Sequence, residues 1–482
     1  MSNDASLIAD RQAPSVIRYS NLVPLSFKAK NKPTLFTTSN NSIYSMNSVI
    51  RIVFSSASCF DDGTNKFIKL DFKNTSAHSV RFANSAHSLF RHFRVLSSFG
   101  PDMENIRDYY QIHAAMSDLL LSPENRLVKK EQGYGHNTIP TPVAQADAAG
   151  AAYTIPEVLA EVNKLRSVIT DGYEVTLNGI QINGSQCSNE LTVGPGEKVT
   201  LCIPLDLSAS IGMAAKKLVP LFLMGTLTLE IELNPLAVFN CDPFVAPNVA
   251  NNVAGYNPAL VAPTFEVSNV IMHSALVEFE GSVNMALSQM VANAGLFLHG
   301  CTWTCVQQIL APNQNNIICS EKLRSLKSLY IAFVPTSLNH SQRKTSRDNN
   351  NINSFQGRIG SEYLTNYAIA GDSTKSKENG EYIVELLKSA SEYGNSMHTG
   401  LINSASFANN VSNVTTVGRA LYGCECDVFG KENCESGIST VANTPISIDI
   451  KGNVVEQEVY IMMYHDILWT INNVGDIAVL RY

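Results

Sequence analysis

The densest group of reactive side chains is Cys424, Cys426 and Cys434. Three thiolates in a C-x-C…C arrangement have the chemistry to ligate zinc. No C-x2-C pair or neighbouring histidine completes a four-ligand site. Cys301 and Cys305, four apart, lack the same partners, so buried free thiols are the expectation. The ten histidines are scattered: His87 and His92 flank a strand-like run, and His465-Asp466 sits in a β stretch. Neither a Gly-x-Ser-x-Gly elbow nor a His-Glu-x-x-His helix occurs. Gly194-Pro195-Gly196-Glu197-Lys198 has the composition of a phosphate loop. Its spacing is wrong and a strand follows it, so Pro-Gly reads as the centre of a type II turn. Asn183-Gly184-Ser185 and Asn413-Val414-Thr415 are glycosylation triplets of the kind an Asn-rich chain produces by chance. No catalytic, cofactor or metal site is expected.

The chain that would have to position such residues has 482 of them, room for two large β domains or about three average ones. Only 16% are charged, against about 25% in ordinary globular chains. Mean hydropathy is nevertheless zero, because Asn, Ser and Thr replace the missing charge. That balance suits sheets, turns and surfaces buried against other copies, and it argues against disorder and coiled coil. A net charge of −7 excludes a generally cationic nucleic-acid binder. The basic bias is confined to the first 32 residues, where Arg11, Arg18, Lys28, Lys30 and Lys32 outnumber Asp4 and Asp10. No apolar run reaches the ~18 residues of a membrane span, and no secretory signal opens the chain. Ten cysteines are too sparse for a disulfide scaffold, so a reducing, intracellular origin is expected.

Residues 1–40 read as an arm broken by Pro14, Pro24 and Pro33. Strands follow at Val49–Phe54, at Lys66–Phe72 after the turn residues Asp61-Asp62-Gly63, and at Leu89–Val95. Apolar residues at three- and four-residue spacing predict helices over Met103–Leu121 and from Thr154. Strict alternation marks strands at Val199–Leu205 and Leu227–Leu233. Asn240–Pro263 is the interdomain linker. Beyond it, strands are expected at Phe265–Phe279, Leu296–Trp303, Leu326–Val334, Val417–Leu421, Ile446–Ile450, Val454–Met463 and Ile477–Leu480. Helices are expected at Val283–Asn293 and Glu381–Tyr393, the latter burying Ile383, Leu386 and Leu387. Many short strands and few helices make two tandem sandwiches.

His87-Ser88-Leu89-Phe90-Arg91-His92-Phe93-Arg94-Val95, Gly100 and Met103-Glu104-Asn105-Ile106-Arg107-Asp108-Tyr109-Tyr110 resemble the first-domain signature of double jelly-roll major capsid proteins. In that family a Ser-Leu-Phe strand leads through a glycine turn to a helix with a Leu-Glu-x-Ile-x-x-Tyr-like pattern, and Met103 replaces the usual Leu. Ile203-Pro204-Leu205 and Lys217-Leu218-Val219-Pro220-Leu221 resemble the end of the first jelly roll. Leu326–Ile331 and Phe355–Ser361 resemble the middle of the second, and Ser436–Thr440 and Tyr464–Leu468 its closing region. The similarity spans residues 40–482 and is strongest to capsid proteins of virophages and polinton-like viruses, in the adenovirus-like and tectivirus-like dsDNA virus lineage.

The resemblance implies an all-β chain of two tandem eight-stranded jelly rolls, with a few short helices and long tower loops. It divides into an arm (1–40), a first jelly roll (41–239), a linker (240–263) and a second jelly roll (264–482). It implies a homotrimer of pseudo-hexagonal outline that tiles an icosahedral shell around a dsDNA genome. Neighbouring capsomers, a penton protein and minor capsid proteins are the implied partners, the virion shell the implied location, and no catalysis is implied. Gln132–Gly150 and Asn339–Ser354 are the tower-loop candidates. Arg11, Arg18, Lys28, Lys30 and Lys32 are the candidate inner-face contacts, too few for strong direct nucleic-acid binding. No segment is expected beyond the last strand, hence no C-terminal maturation cleavage. The competing functional classes are a carbohydrate-binding or glycan-processing β-sandwich and another virion component such as a spike or minor capsid protein. Trp303 and Trp469, the only tryptophans, are expected in the core.

Overall fold

The computed structural model describes residues 29–98, 102–122, 125–126, 129–134, 174–177, 180–183, 191–215, 217–240, 261–338, 340, 343–365, 367–393, 395, 398, 400–408, 418–427, 437–441, 445–452, 454–473 and 476–481. Eight principal strands build the first half: β1 (Ala29–Thr37), β2 (Val49–Phe54), β3 (Cys59–Asn74), β4 (Phe90–Ser97), β5 (Asp102–Arg107), β6 (Lys198–Pro204), β7 (Leu227–Leu233) and β8 (Phe265–Phe279). Eight more build the second: β9 (Leu296–Leu310), β10 (Asn316–Cys319), β11 (Leu326–Pro335), β12 (Ile352–Ile359), β13 (Glu362–Tyr363), β14 (Tyr422–Glu425), β15 (Ile446–Gly452) and β16 (Gln457–Asn473).

The first half pairs them as β1-β8-β3-β6 and β2-β7-β4-β5, the second as β9-β16-β11-β14 and β10-β15-β12-β13. Counted from the start of each half, both orders are the same: first-eighth-third-sixth and second-seventh-fourth-fifth. That antiparallel wrapping is a jelly roll, made twice. The longest connection in each half joins its fifth and sixth strands. Each carries a helix, α1 (Tyr109–Leu120) in the first half and α3 (Gly380–Ser389) in the second; α2 (Gly281–Ala294) joins the halves. Among the described residues no helix is long and apolar enough to cross a membrane.

Local sequence explains the strands. In β7 every second residue from Leu227 to Leu233 is buried, and β2 buries Ile50, Ile52 and Phe54 in the same rhythm. β11 is buried on both faces, which is why Leu326–Val334 reads as a run rather than an alternation. The turn before β6 is as its residues require: Gly196 has φ 72° and Glu197 N donates to Gly194 O at 3.1 Å.

Several expectations need correction. Residues 29–37, expected in the arm, form an edge strand paired along its whole length with β8. β8, expected to open the second jelly roll, hydrogen-bonds into the first half's sheet between β1 and β3. Asp61-Asp62-Gly63 do not separate strands: β3 continues through them and bulges, residues 63–66 standing against Ser274 of β8. The Met103–Leu121 helix is half strand. β5 occupies Asp102–Arg107 because Met103 and Ile106 point into the core, and the chain turns at Asp108 (φ 49°) before α1 begins. The strand placed at Val417–Leu421 lies at Tyr422–Glu425. On α3 Tyr382, Leu386 and Ser389 are fully buried, with Ile383 and Leu387 half-buried.

The largest correction concerns Asn339–Ser354. It is no outer tower: Arg343, Thr345, Ser346, Arg347, Asn349 and Asn350 are buried. The segment is polar because it binds other backbone, not water. Thr345 Oγ1 donates to Ala83 O (2.6 Å), Asp348 N to Phe333 O (2.7 Å), and Tyr422 OH to Asn349 O (2.7 Å). Asn350 and Asn351 take left-handed φ of 49° and 52°, which Asn tolerates. The predicted helix from Thr154, residues 135–150 of the other tower candidate, residues 241–260 of the linker and Cys434 lie outside the described residues.

Candidate functional site

The side chains with most chemical potential meet between and beside the sandwiches, brought together by topology. β5 supplies Glu104, whose buried carboxylate accepts from Ser208 Oγ (2.6 Å), Ala209 N (2.9 Å), Ser210 N (3.2 Å), Ser210 Oγ (2.6 Å) and Thr302 Oγ1 (2.7 Å). Thr302 belongs to β9, so this carboxylate ties the halves. Trp469 Nε1 donates to Met103 O at 2.9 Å, and Tyr110 OH lies 3.3 Å from Tyr460 OH. Five satisfied bonds and no solvent make Glu104 a joint rather than an acid catalyst.

A second cluster collects His87 (before β4), His113 (α1) and Asp206 (after β6). The imidazoles stack 3.7 Å apart at 11°. His87 Nε2 donates to Pro204 O (3.0 Å), and Ser85 Oγ stands 3.1 Å from its Nδ1. Asp206 accepts from His113 Nε2 (3.1 Å) and Tyr109 OH (3.1 Å), while Tyr134 OH lies 3.0 Å from the same His113 nitrogen. Burial and the neighbouring His113 push His87 down to about 3, so it is neutral. Burial would raise the Asp206 carboxyl; His113, with the hydrogen bonds that His113 Nε2 and Tyr109 OH donate, outweighs it and holds it well below the usual range. Three ligand atoms converge here. An ion bound by imidazole must lie in the ring plane, however, and two near-parallel rings share no such point.

The third cluster is His299, Cys301 and Asp466. Asp466 accepts from His299 Nε2 (2.9 Å), Cys301 Sγ (3.3 Å) and Ser325 Oγ (2.5 Å), with the buried Lys327 ammonium 3.2 Å from the same carboxylate. Burial, then Asp466, push the Cys301 thiol up to about 11, and Lys327 already supplies the positive charge. The arrangement is a buried ion pair with attendants. Cys301, Cys305, Cys424 and Cys426 are all buried thiols outside any disulfide.

An open cleft of about 410 Å³ is lined by Arg91, His92, Arg107, Asp108, Glu232 and Glu321 among others. Arg91 is paired there with Glu232 (Nη1 to Oε1, 3.2 Å), and the His92 imidazole is engaged by Asn105 Oδ1 at 2.6 Å. Both tryptophans are buried, so neither offers a sugar-stacking face.

Of the N-terminal cations, Arg11, Arg18 and Lys28 lie outside the described residues. Lys30 and Lys32 are exposed on β1, and Lys32 Nζ pairs with Glu278 Oε2 at 2.6 Å. Sequence reading missed the three clusters, because their key partners lie as much as 198 positions apart and leave no local spacing to find. His465-Asp466 was the one adjacent pair visible beforehand.

Large apolar side chains remain exposed at matching places. In the first half they are Leu35 (β1) and Val53 (β2), in the second Ile309 (β9) and Ile318 (β10). β1 and β9 are equivalent edge strands, and so are β2 and β10.

No family model matches the sequence, and no curated protein matches it. Solved structures do. The major capsid protein of Faustovirus aligns over 96% of this chain and 93% of its own, with TM-score 0.60 and 8% identity. VP54 of PBCV-1, fitted into a reconstruction of the virophage Sputnik, aligns over 96% and 99%, with TM-score 0.55 and 10% identity. A chain of the Sputnik virophage structure aligns over 97% and 92%, with TM-score 0.52 and 13% identity. The likeness covers nearly the whole of this chain, and the chain has the double jelly-roll fold.

Proposed function

We propose, for a chain with the double jelly-roll fold, that it is a major capsid protein: a non-enzymatic shell subunit that assembles as a homotrimer of pseudo-hexagonal outline. The observation that carries the reading is the pair of equivalent edges. Two sandwiches of one topology each expose aliphatic side chains on their first and second strands. Three chains then offer six similar apolar edges, which is what a hexagonal lattice position needs. Exposed Leu and Ile at sheet edges are an aggregation hazard unless another copy covers them.

Residues 41–239 and 264–482 remain the proposed cores of the two jelly rolls, with β1 and β8 counted into the first. Neighbouring capsomers, a penton protein and minor capsid proteins are the proposed partners, and the virion shell is the proposed location. Lys30 and Lys32, with Arg11, Arg18 and Lys28, are proposed to face the interior.

Light scattering after size exclusion, followed by negative-stain imaging, tests this. A particle near three times 52.5 kDa with a hexagonal outline is expected. A stable monomer at 52.5 kDa would overturn it and favour the single-chain sandwich alternatives.

A further inference from the structure

One buried carboxylate, Asp118 at the end of α1, faces four arginines. Arg126 follows it in the first half; Arg343, Arg347 and Arg419 come from the second. Arg126 Nη2 reaches Asp118 Oδ1 and Arg347 Nη2 reaches Asp118 Oδ2, each at 2.7 Å. Arg126 also donates to Asn84 Oδ1 (2.9 Å) and Ser117 Oγ (3.3 Å), and Arg343 Nη2 to Asn84 Oδ1 (2.6 Å). Asp118, Arg126, Arg343 and Arg347 are buried, and Arg126 and Arg347 have no exposed surface at all.

Among the described residues, two fully buried guanidiniums, those of Arg126 and Arg347, share the one carboxylate of Asp118. Burial first, and then the crowding of Arg419, Arg126 and Arg347, press Arg343 down to about 9 in spite of Asp118. Donors are left over as well. Nε of Arg126, and Nε and Nη1 of Arg347, are buried and find no acceptor among the described residues. Uncompensated buried charge costs several kcal/mol per ion, and unmet buried donors add to it.

We propose that this cluster holds one small inorganic oxyanion of the phosphate or sulfate class, which joins the two sandwiches by accepting from Arg126 and Arg347. A tetrahedral oxyanion has enough lone pairs for these three donors of Arg126 and Arg347, and its charge offsets the second guanidinium. The buried position selects a free ion. A nucleic-acid phosphate would bring its chain into a place where Arg126 and Arg347 have no surface. The anion would act as a rivet, because Arg126 belongs to the first sandwich and Arg347 to the second.

The test is thermal melting of the full chain against sodium phosphate, with ionic strength held constant by sodium chloride. The wild type should show a saturable rise of roughly a few degrees. Arg347→Met should retain only the gradual, unsaturable effect that excluded salts have on any protein. Equal titration curves for the two, or no saturable phase in the wild type, would overturn the proposal. Should Arg347→Met not fold, crystals of the wild type grown with selenate decide. An anomalous peak between Arg126 and Arg347 supports the rivet. Density for water alone, or for chloride, refutes an oxyanion site.

Discussion

The most consequential single residues in this chain are charged or titratable groups in places without water. Lys66 in the β3 bulge is paired with Asp61, which also accepts from Ser274 Oγ at 2.6 Å, and its ammonium lies 5.0 Å from the Phe54 ring. Asp61→Asn leaves that ammonium buried and unpaired, at an expected loss of about 3–5 kcal/mol in denaturant unfolding. Adding Lys66→Met should restore most of it, since an apolar pair of similar volume removes the stranded charge. His87 has the opposite character, buried and neutral. Its proton affinity is depressed on folding from the ordinary 6.5 to about 3, so the unfolded chain binds the proton first as pH falls. Its contribution to stability is complete above pH 6.5 and is lost progressively down to about 3. Between pH 6.5 and 5 that amounts to about 2 kcal/mol. His87→Gln should flatten the dependence of melting temperature on pH across this window. An unchanged slope would place the acid sensitivity elsewhere.

At the scale of elements, alternation and topology decide what survives substitution. β7 is the central strand of its sheet, between β2 and β4, and Leu229 on it is fully buried. Leu229→Asp puts an unpaired carboxylate in the core and should abolish soluble, folded protein. Recovery of normal material would contradict the register in which Leu229 faces Ile52 and Val95. The joint between sandwiches is softer. Trp469→Phe deletes one bond to Met103 O while keeping most of the buried ring, so about 1 kcal/mol should be lost. Hydrogen exchange should quicken at β5 and β9 before the strands within either sandwich respond. β5 was legible as an apolar pattern and misread as helix, because Met103 and Ile106 are three apart, a helical spacing; in the strand, the register shift between Glu104 and Asp102 opposite Val95 and Leu96 makes Met103 an extra residue and lets both be buried. Here the edge of a sheet claimed the residues, overriding their helical period.

For the whole molecule the equivalent edges matter most. Leu35→Glu with Ile309→Glu changes two exposed residues, so unfolding stability should move by less than about 0.5 kcal/mol. Assembly should nonetheless fail, read as a shift from trimer to monomer in solution mass or as loss of lattice formation. Normal assembly by this variant would show that these edges are not the contact surfaces. In the proposed assembly the low charge content has a physical role: surface that other copies cover cannot carry many unpaired charges.

Strand positions, the repeated sandwich and a surface poor in charge were all determined by the sequence itself, because period-two burial and turn chemistry are local properties. Leu227–Leu233 and Val49–Phe54 announce their inward faces without any partner in view. What lies in space between distant residues was decided by tertiary structure alone. Nothing local tells Arg347 that Asp118 is its counter-ion, or His87 that His113 stacks on it. The polar run from Asn339 to Ser354 had the composition of a surface loop, and most of its residues 343–350 became buried because their hydrogen-bonding groups found protein backbone and side chains in place of water. Polarity in a sequence reports that partners are required; only the folded chain decides whether they are solvent or self.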